Sequence, residues 1–259
     1  MLWFFARFGA LLLPGVFVVQ ACAQQPSPSA APTPSPAPAA SPGAAQLVTY
    51  QFGLLRKGPK WTPEQTEETK RTQEGHLANI TRLADEGKLV VAGPLDAAAG
   101  SDLRGVFIFK VASIEEAKAL TATDPAVKAG RLVIDLHSFL GTSGLGTRYL
   151  EAQAKGTLGE LTRYQLVLMK DGPRYDPQKP NENSQLGLAR RTWMRGMAEH
   201  NPLLLAGPFT GQGSYRGLLV LGLASPEQAS TVVREDPLVK TERMAFEVHT
   251  WWVAKGVLD

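Results

Sequence analysis

The sequence predicts an α+β fold built from two tandem βαββαβ units, residues 46–141 and 160–255, packed against each other as an intramolecular pseudo-dimer. Two observations predict it. The chain repeats itself at a spacing of 114 and then 112 residues, and each repeat carries strand-like and helix-like segments in the same order. An antiparallel sheet with both helices on one face leaves its other face uncovered. A second copy supplies that cover.

Matched residues in unbroken order carry the repeat. At the spacing of 114, Tyr50-Gln51 recurs as Tyr164-Gln165, and Leu89-x-x-Ala92-Gly93-Pro94 recurs as Leu203-x-x-Ala206-Gly207-Pro208. At the spacing of 112, Asp124-Pro125-x-Val127-Lys128 recurs as Asp236-Pro237-x-Val239-Lys240, and His137 recurs as His249. An ordered shift of this kind indicates duplicated domains, with residues 142–159 as the connector.

The first half of each repeat is predicted to form a strand, a helix and a second strand. In the first copy, residues 47–55 form an apolar strand. Thr62-Pro63-Glu64-Gln65 then predicts a helix start, because it combines a capping box with proline at the first helical position. Gly87 predicts the end of that helix, and residues 89–92 predict a short strand.

The second half of each repeat is predicted to form the same order of elements, a strand, a helix and a strand. Residues 106–111 are rich in Val, Ile and Phe and predict a strong strand. Ser113-x-x-Glu116 predicts a second capped helix, mirrored by Ser225-Pro226-x-Gln228. That helix should stop near Asp124-Pro125, and residues 131–139 predict the last strand.

The N-terminus is predicted to be a secretory signal, residues 1–23. Arg7 is followed by an apolar run over residues 8–19 and by small residues, and the run is too short to cross a bilayer. Two processing routes stay open. Ala21-x-Ala23 suits ordinary signal peptidase, whereas Val19-Gln20-Ala21-Cys22 resembles a lipoprotein box, with Cys22 lipidated.

Residues 24–45 are dominated by Pro, Ser and Ala and predict a disordered, extended spacer. The protein is therefore expected outside the cytoplasm, periplasmic or secreted, with membrane contact only through a lipid anchor at Cys22. Cys22 is the single cysteine, so no intrachain disulfide can form.

Composition and motifs exclude several classes of function. A net charge of +3 without a basic cluster argues against a nucleic-acid surface. The chain has no dinucleotide glycine fingerprint, phosphate-binding loop, nucleophile elbow or zinc signature, so neither a cofactor nor a metal is predicted. The expected partner is a small molecule, and further homo-oligomerisation stays open.

Four motifs follow one another along the first repeat: His76-Leu77, Glu86-Gly87-Lys88-Leu89-x-x-Ala92-Gly93-Pro94, Ser113-x-Glu115-Glu116-Ala117 and Asp124-Pro125-x-Val127-Lys128-x-Gly130. In this order they resemble the YCII-related (YciI-like) family. The second repeat resembles it from Ala206 onward. The resemblance implies a dimeric α+β barrel and a His–Asp pair as the active site, here His76 and Asp124.

His76 shares one helical face with Ile80 and Leu83, which puts its imidazole at the edge of the buried stripe. In that position His76 is either a general base or a structural histidine of the core. Asp124 suits either a partner for His76 or the N-cap of a short helix, and both roles are compatible.

The second repeat has Arg190 where the first has His76, so its site is predicted to be degenerate, because a permanent cation cannot accept a proton. Arg190 either binds an anionic substrate group or is solvated, and solvation is favoured. Trp251 and Trp252 are expected either to pack across the contact between the repeats, which is favoured, or to line a pocket.

A further pattern occurs in both repeats. Asp135 and His137, like Glu247 and His249, lie two apart on a strand and therefore point to the same face. They line a shared cavity as ligand-binding residues, ligate a metal, or form a solvated polar strip. The polar strip is favoured, and no metal is predicted from two pairs without further ligands.

Two functional hypotheses follow. In the first, repeat 1 is a cofactor-independent lyase or isomerase that binds a small molecule between the sheets, where His76 moves a proton with help from Asp124. In the second, the doubled domain is a non-catalytic module that binds a small ligand or an envelope partner.

Overall fold

The computed structural model describes residues 46–96, 100–156, 159–178, 185–200, 202–211 and 213–258. The predicted signal, the spacer and Cys22 lie outside the described residues. Within the part of the chain that the structure describes, every helix is too short or too polar to span a bilayer.

Repeat 1, which we define as residues 46–141, contains the predicted elements in the predicted order. They are β1 (Leu47–Lys57), α1 (Glu67–Asp85), β2 (Leu89–Pro94), β3 (Leu103–Phe109), α2 (Ile114–Thr121), α3 (Pro125–Lys128) and β4 (Leu132–Thr142). The sheet order is β2-β3-β1-β4, and every neighbouring pair is antiparallel. This is the ferredoxin-like arrangement.

A helix α4 (Thr147–Lys155) follows, and repeat 2, residues 160–255, then repeats the pattern. Its elements are β5 (Leu161–Asp171), α5 (Gln185–Glu199), β6 (Leu203–Pro208), β7 (Tyr215–Leu221), α6 (Pro226–Val233), α7 (Pro237–Lys240) and β8 (Met244–Ala254). The second sheet has the equivalent order, β6-β7-β5-β8.

The predicted start of α1 was wrong. The helix begins at Glu67, and its N-cap is Thr66, whose hydroxyl accepts a hydrogen bond from the Thr69 N–H at 3.2 Å. Thr62 lies in the preceding loop instead, where its backbone carbonyl and hydroxyl accept hydrogen bonds from Arg131. A contact 69 residues away in sequence thus replaces the local capping box. The serine caps at Ser113 and Ser225 form as predicted.

The two sheets face each other and enclose one shared apolar core. Alternate residues of the central strands point inward, including Phe52 and Ile108 from repeat 1 and Leu166 and Val220 from repeat 2. The residues between them face the helices and form a separate core in each repeat. This packing confirms the predicted pseudo-dimer.

Both edges where the sheets meet are joined by backbone contacts, so the eight strands close into a barrel. At one edge the Asp96 N–H donates to the Thr250 carbonyl at 2.9 Å, and at the other the Thr210 N–H donates to the Ser138 carbonyl at 2.9 Å. Closure removes the free sheet edges that would otherwise invite pairing with another chain.

One end of the barrel is plugged by apolar side chains. Val257 and Leu258 are buried there, and the equivalent segment of repeat 1 contributes Leu145 and Tyr149. The predicted connector therefore helps to close this end. The opposite end, at the C-terminal ends of β1 and β5, is polar.

Candidate functional site

The predicted pair of His76 and Asp124 forms a direct contact. His76 Nδ1 lies 2.7 Å from Asp124 Oδ2, a distance typical of a charge-assisted hydrogen bond. Asp124 is 1% exposed and His76 is 8% exposed. Asp124 also caps α3, because its other oxygen accepts the Ala126 N–H at 2.8 Å. The capping role and the pairing with His76 therefore coexist in one carboxylate.

Local packing positions the imidazole. Next to it in the chain, Gly75 lies against Pro125, which a larger side chain would crowd, so α1 approaches α3 closely. One turn further along α1, Asn79 accepts a hydrogen bond from the Thr123 hydroxyl at 2.9 Å. On its other side the His76 ring stacks on Phe107 at 5.9 Å between centroids. These contacts hold the ring on Asp124.

The expectation that His76 faces a cavity between the sheets is wrong. His76 packs on Phe107, which belongs to the core between helices and sheet. The residues on either side of Phe107 in β3, Val106 and Ile108, point into the barrel instead. Helices cover the outer face of each sheet, so a residue of α1 that points at the sheet lies outside the barrel. A molecule between the sheets would be separated from His76 by the sheet itself.

Repeat 2 keeps the aspartate but changes its partner. Asp236 caps α7 by accepting the Leu238 N–H at 2.8 Å, and its second oxygen accepts a hydrogen bond from Arg190 Nε at 2.9 Å. Asp236 is 0% exposed and thus fully buried. The favoured prediction that Arg190 is solvated was wrong, because this ion pair ties α5 to α7 as His76 ties α1 to α3.

The second predicted pattern lies at the polar end of the barrel. Asp135 and His137 on β4 point to the same side as Phe139 in the shared core, and Glu247 and His249 on β8 point to the same side as Trp251. His137 stacks on Phe209 of repeat 2, with 5.0 Å between centroids. The two pairs therefore meet at the polar end.

Sequence reasoning missed three residues of this cluster: Arg56, Lys170 and Tyr215. Arg56 donates to Asp135 and to Asp102, while Lys170 donates to Glu247 at 2.6 Å. The Tyr215 hydroxyl donates to the other oxygen of Glu247 at 3.1 Å. A signal was present, since Arg56 and Lys170 are equivalent under the spacing of 114 and continue the inward alternation of β1 and β5.

Burial sets the protonation of the cluster. It lowers the pKa of both His137 and His249 from the usual 6.5, against the opposing effects of Asp135 and Glu247. Burial also raises the pKa of Tyr215, with a further contribution from Glu247. Both imidazoles are therefore neutral at pH 7. His249 Nε2 lies 3.5 Å from Glu247 Oε2, too far for a well-formed hydrogen bond.

An open groove of about 910 Å³ adjoins this cluster. It runs between α2 and the first half of β4 and reaches Arg56, His137 and Tyr215. His76 does not line it. Among the described residues, no three His, Cys, Asp or Glu side chains are close enough to share a metal ion.

Comparison with known families gives a match within repeat 1. A YCII-related domain is detected at residues 59–135. The match covers α1 to the first part of β4 and includes both His76 and Asp124. No curated protein is similar in sequence to this chain.

Solved structures share the fold at low sequence identity. A candidate chlorite dismutase superposes with a TM-score of 0.52 at 8% identity, covering 81% of this chain and 96% of its own. A heme-binding protein from Thermus thermophilus has a TM-score of 0.48 at 12% identity, covering 81% of this chain and 94% of its own. The first likeness supports the barrel fold alone.

Proposed function

We propose that repeat 1 is a cofactor-independent proton-transfer site for a small organic molecule, of the kind that serves isomerases and lyases, and that repeat 2 completes the barrel. One observation carries the proposal: His76 Nδ1 lies 2.7 Å from a carboxylate that is itself held by a backbone N–H. With Nδ1 bonded to Asp124, Nε2 is the nitrogen that exchanges a proton.

The electrostatics suit this role. Asp124 is buried and stabilises an imidazolium formed when His76 accepts a proton. Because Asp124 is fixed by the Ala126 N–H, the imidazole does not need to reorient during proton transfer. The small exposed fraction of His76 requires the substrate to approach from the surface of α1 and α3.

The test uses carbon–hydrogen exchange, because the substrate is unknown. A panel of small ketones, lactones and esters is incubated with the protein in D2O, and deuterium incorporation next to the carbonyl is followed by NMR. The wild type is expected to accelerate exchange for at least one member. His76→Gln should abolish the acceleration while the melting temperature stays near that of the wild type.

His200→Gln is the matched control, because His200 is exposed directly after α5 and far from the pair in sequence. It should exchange like the wild type. A large loss of stability in His76→Gln would identify the histidine as structural, and absence of exchange throughout the panel would contradict the catalytic proposal.

A second candidate is a non-catalytic small-ligand or envelope-binding module. Repeat 2 favours it, since Asp236 with Arg190 performs the same helix-to-helix tie without any proton-transfer group. The filled apolar core between the sheets also favours it. A large loss of stability in His76→Gln and no exchange in the panel, together with ligand-induced shifts of the groove residues, would support this function.

The proposed setting is outside the cytoplasm, by export through residues 1–23. Intact mass of the mature protein separates the two processing routes. A chain that starts at Gln24 indicates ordinary signal peptidase, whereas a chain that starts at lipid-modified Cys22 indicates an anchored lipoprotein. Retention of Met1 would contradict export.

A further inference from the structure

The two repeats differ in charge at one equivalent place. In repeat 2, Arg216 donates from Nε to Asp171 Oδ1 at 2.8 Å and from Nη2 to the other carboxylate oxygen. The guanidinium also lies 5.4 Å from the ring centroid of Tyr175. Arginine and carboxylate therefore form a two-point pair beside an aromatic ring.

Repeat 1 keeps the arginine and the aromatic ring but loses the carboxylate. Arg104 corresponds to Arg216, Trp61 to Tyr175, and Lys57 stands where repeat 2 has Asp171. The Arg104 guanidinium lies 4.9 Å from the Trp61 centroid, and Lys57 Nζ lies 4.3 Å from it. Two cations thus converge on one indole.

Arg104 is left incompletely bonded. Its Nη atoms donate to the backbone carbonyls of Leu103 and Ser101. Its Nε is shielded from solvent and has no hydrogen-bond partner among the described residues, although the same atom of Arg216 holds Asp171. A buried unpaired donor is costly, so a partner at this atom would be stabilising.

No nearby carboxylate of the described residues fills the gap. Asp102 is the closest in sequence to Arg104, but both of its oxygens accept from Arg56 Nη1 at 3.0 and 3.1 Å. The ion pairs of the described residues include none to Lys57 or Arg104.

We propose that Lys57, Arg104 and Trp61 form a binding site for a carboxylate group of a small molecule. The carboxylate takes the place that Asp171 occupies in repeat 2, with one oxygen on Arg104 Nε and the other within reach of the Lys57 ammonium. The flexible Lys57 stem moves aside to admit it. The site is separate from the His76–Asp124 pair, and the proposal does not depend on proton transfer.

The experiment titrates the intact protein with acetate and succinate against sodium chloride at equal ionic strength. The Arg104 Nε–H resonance is followed by ¹⁵N–¹H NMR, and the melting temperature is recorded. The wild type should show a saturable shift of that resonance and a higher melting temperature with succinate. Phosphate serves as a second arm, and equal binding of phosphate would widen the ligand class to oxyanions in general.

Lys57→Asp is the decisive variant, since it rebuilds the pair of repeat 2 inside repeat 1. It should raise the melting temperature without ligand and weaken succinate binding by about tenfold or more. Arg104→Gln should also lose binding, with circular dichroism to establish that it folds. Arg216→Gln is the matched control, and it should bind succinate like the wild type.

The proposal is overturned if Lys57→Asp binds succinate as tightly as the wild type. It is equally overturned if the wild-type Arg104 resonance responds no more to succinate than to chloride. Either outcome leaves the proton-transfer proposal untouched, because neither measurement involves His76.

Discussion

Trp251 donates its indole N–H to the backbone carbonyl of Gly93 at 3.2 Å, although the two residues are 158 positions apart in sequence. Trp251 is 0% exposed and belongs to the shared core. Its bond to Gly93 joins the last strand of repeat 2 to the second strand of repeat 1, as expected for a tryptophan that packs across the contact between repeats. We call the two edges where the sheets meet, β2 with β8 and β4 with β6, the seam of the barrel. At both edges the backbone of one repeat lies close to the backbone of the other.

That approach explains why both repeats carry glycine at this position. A Cβ atom added at Gly93 would lie 1.9 Å from the Trp252 carbonyl oxygen, and one added at Gly207 would lie 2.1 Å from the Leu140 carbonyl oxygen. Both obstacles are backbone atoms of the other repeat, so they cannot rotate away. Only glycine allows the seam to close at these positions.

The first prediction concerns these glycines. Gly93→Val and Gly207→Val should each lower the free energy of unfolding by about 3 kcal/mol or more, because the seam must open to fit the side chain. Urea unfolding monitored by tryptophan fluorescence measures the loss. Gly196→Ala on α5 is the control, since its Cβ would meet nothing within 4 Å, and it should stabilise the protein by about 0.5–1 kcal/mol. Equal effects of Gly93→Val and Gly196→Ala would contradict the role of the seam.

The sequence was sufficient to predict the topology, because it depends on local signals repeated twice. Serine caps, apolar strands and the Asp124-Pro125 turn each fix one element, and the duplication fixes the partner of the uncovered sheet face. The start of α1 escaped prediction because Thr62 carries the stronger local signal, a capping box with proline, although Thr66 is the residue that caps the helix. The contact of Arg131 with Thr62, which no local pattern contains, separates them.

The candidate site was only partly predictable, because it too depends on contacts between residues that are far apart in sequence. The pairing of His76 with Asp124 followed from the family resemblance, but its location outside the barrel follows from the helices lying on the outer face of the sheet. The Arg190–Asp236 pair escaped prediction because an arginine on a helix reads as solvated when its partner is 46 residues away.

The second prediction concerns the polar end of the barrel. Burial lowers the pKa of His137 and His249 from 6.5, so between the lowered values and 6.5 the unfolded chain binds more protons than the folded one. The free energy of unfolding should therefore fall as the pH drops through that window. The pKa of Glu247 is lowered from 4.5, so its own contribution is lost only as the pH falls through and below that value.

Urea unfolding at about pH 7.5 and about pH 5.5 tests this dependence. The double variant His137→Gln, His249→Gln should lose less stability between the two pH values than the wild type. His200→Gln should behave like the wild type, because His200 lies exposed at the end of α5. A double variant with the full wild-type pH dependence would refute the assignment to these two imidazoles.

The third prediction concerns the turn after the short helix of each repeat. Gly130 follows α3 with a φ of +70°, whereas the equivalent Glu242 follows α7 with a φ of +57°. This left-handed conformation suits glycine at the residue after a helix end and is strained for residues with a side chain. Repeat 2 therefore carries a strain that repeat 1 avoids.

Glu242→Gly should stabilise the protein by about 1 kcal/mol, because glycine adopts the same left-handed backbone conformation without the strain caused by a Cβ atom. The Glu242 carbonyl accepts the Arg174 N–H at 2.9 Å, a backbone contact that does not involve the side chain and should therefore survive the change. Gly130→Ala is the reciprocal test and should cost about 1 kcal/mol. Urea unfolding measures both variants. A Glu242→Gly variant less stable than the wild type would mean that the side chain contributes more than its strained backbone costs.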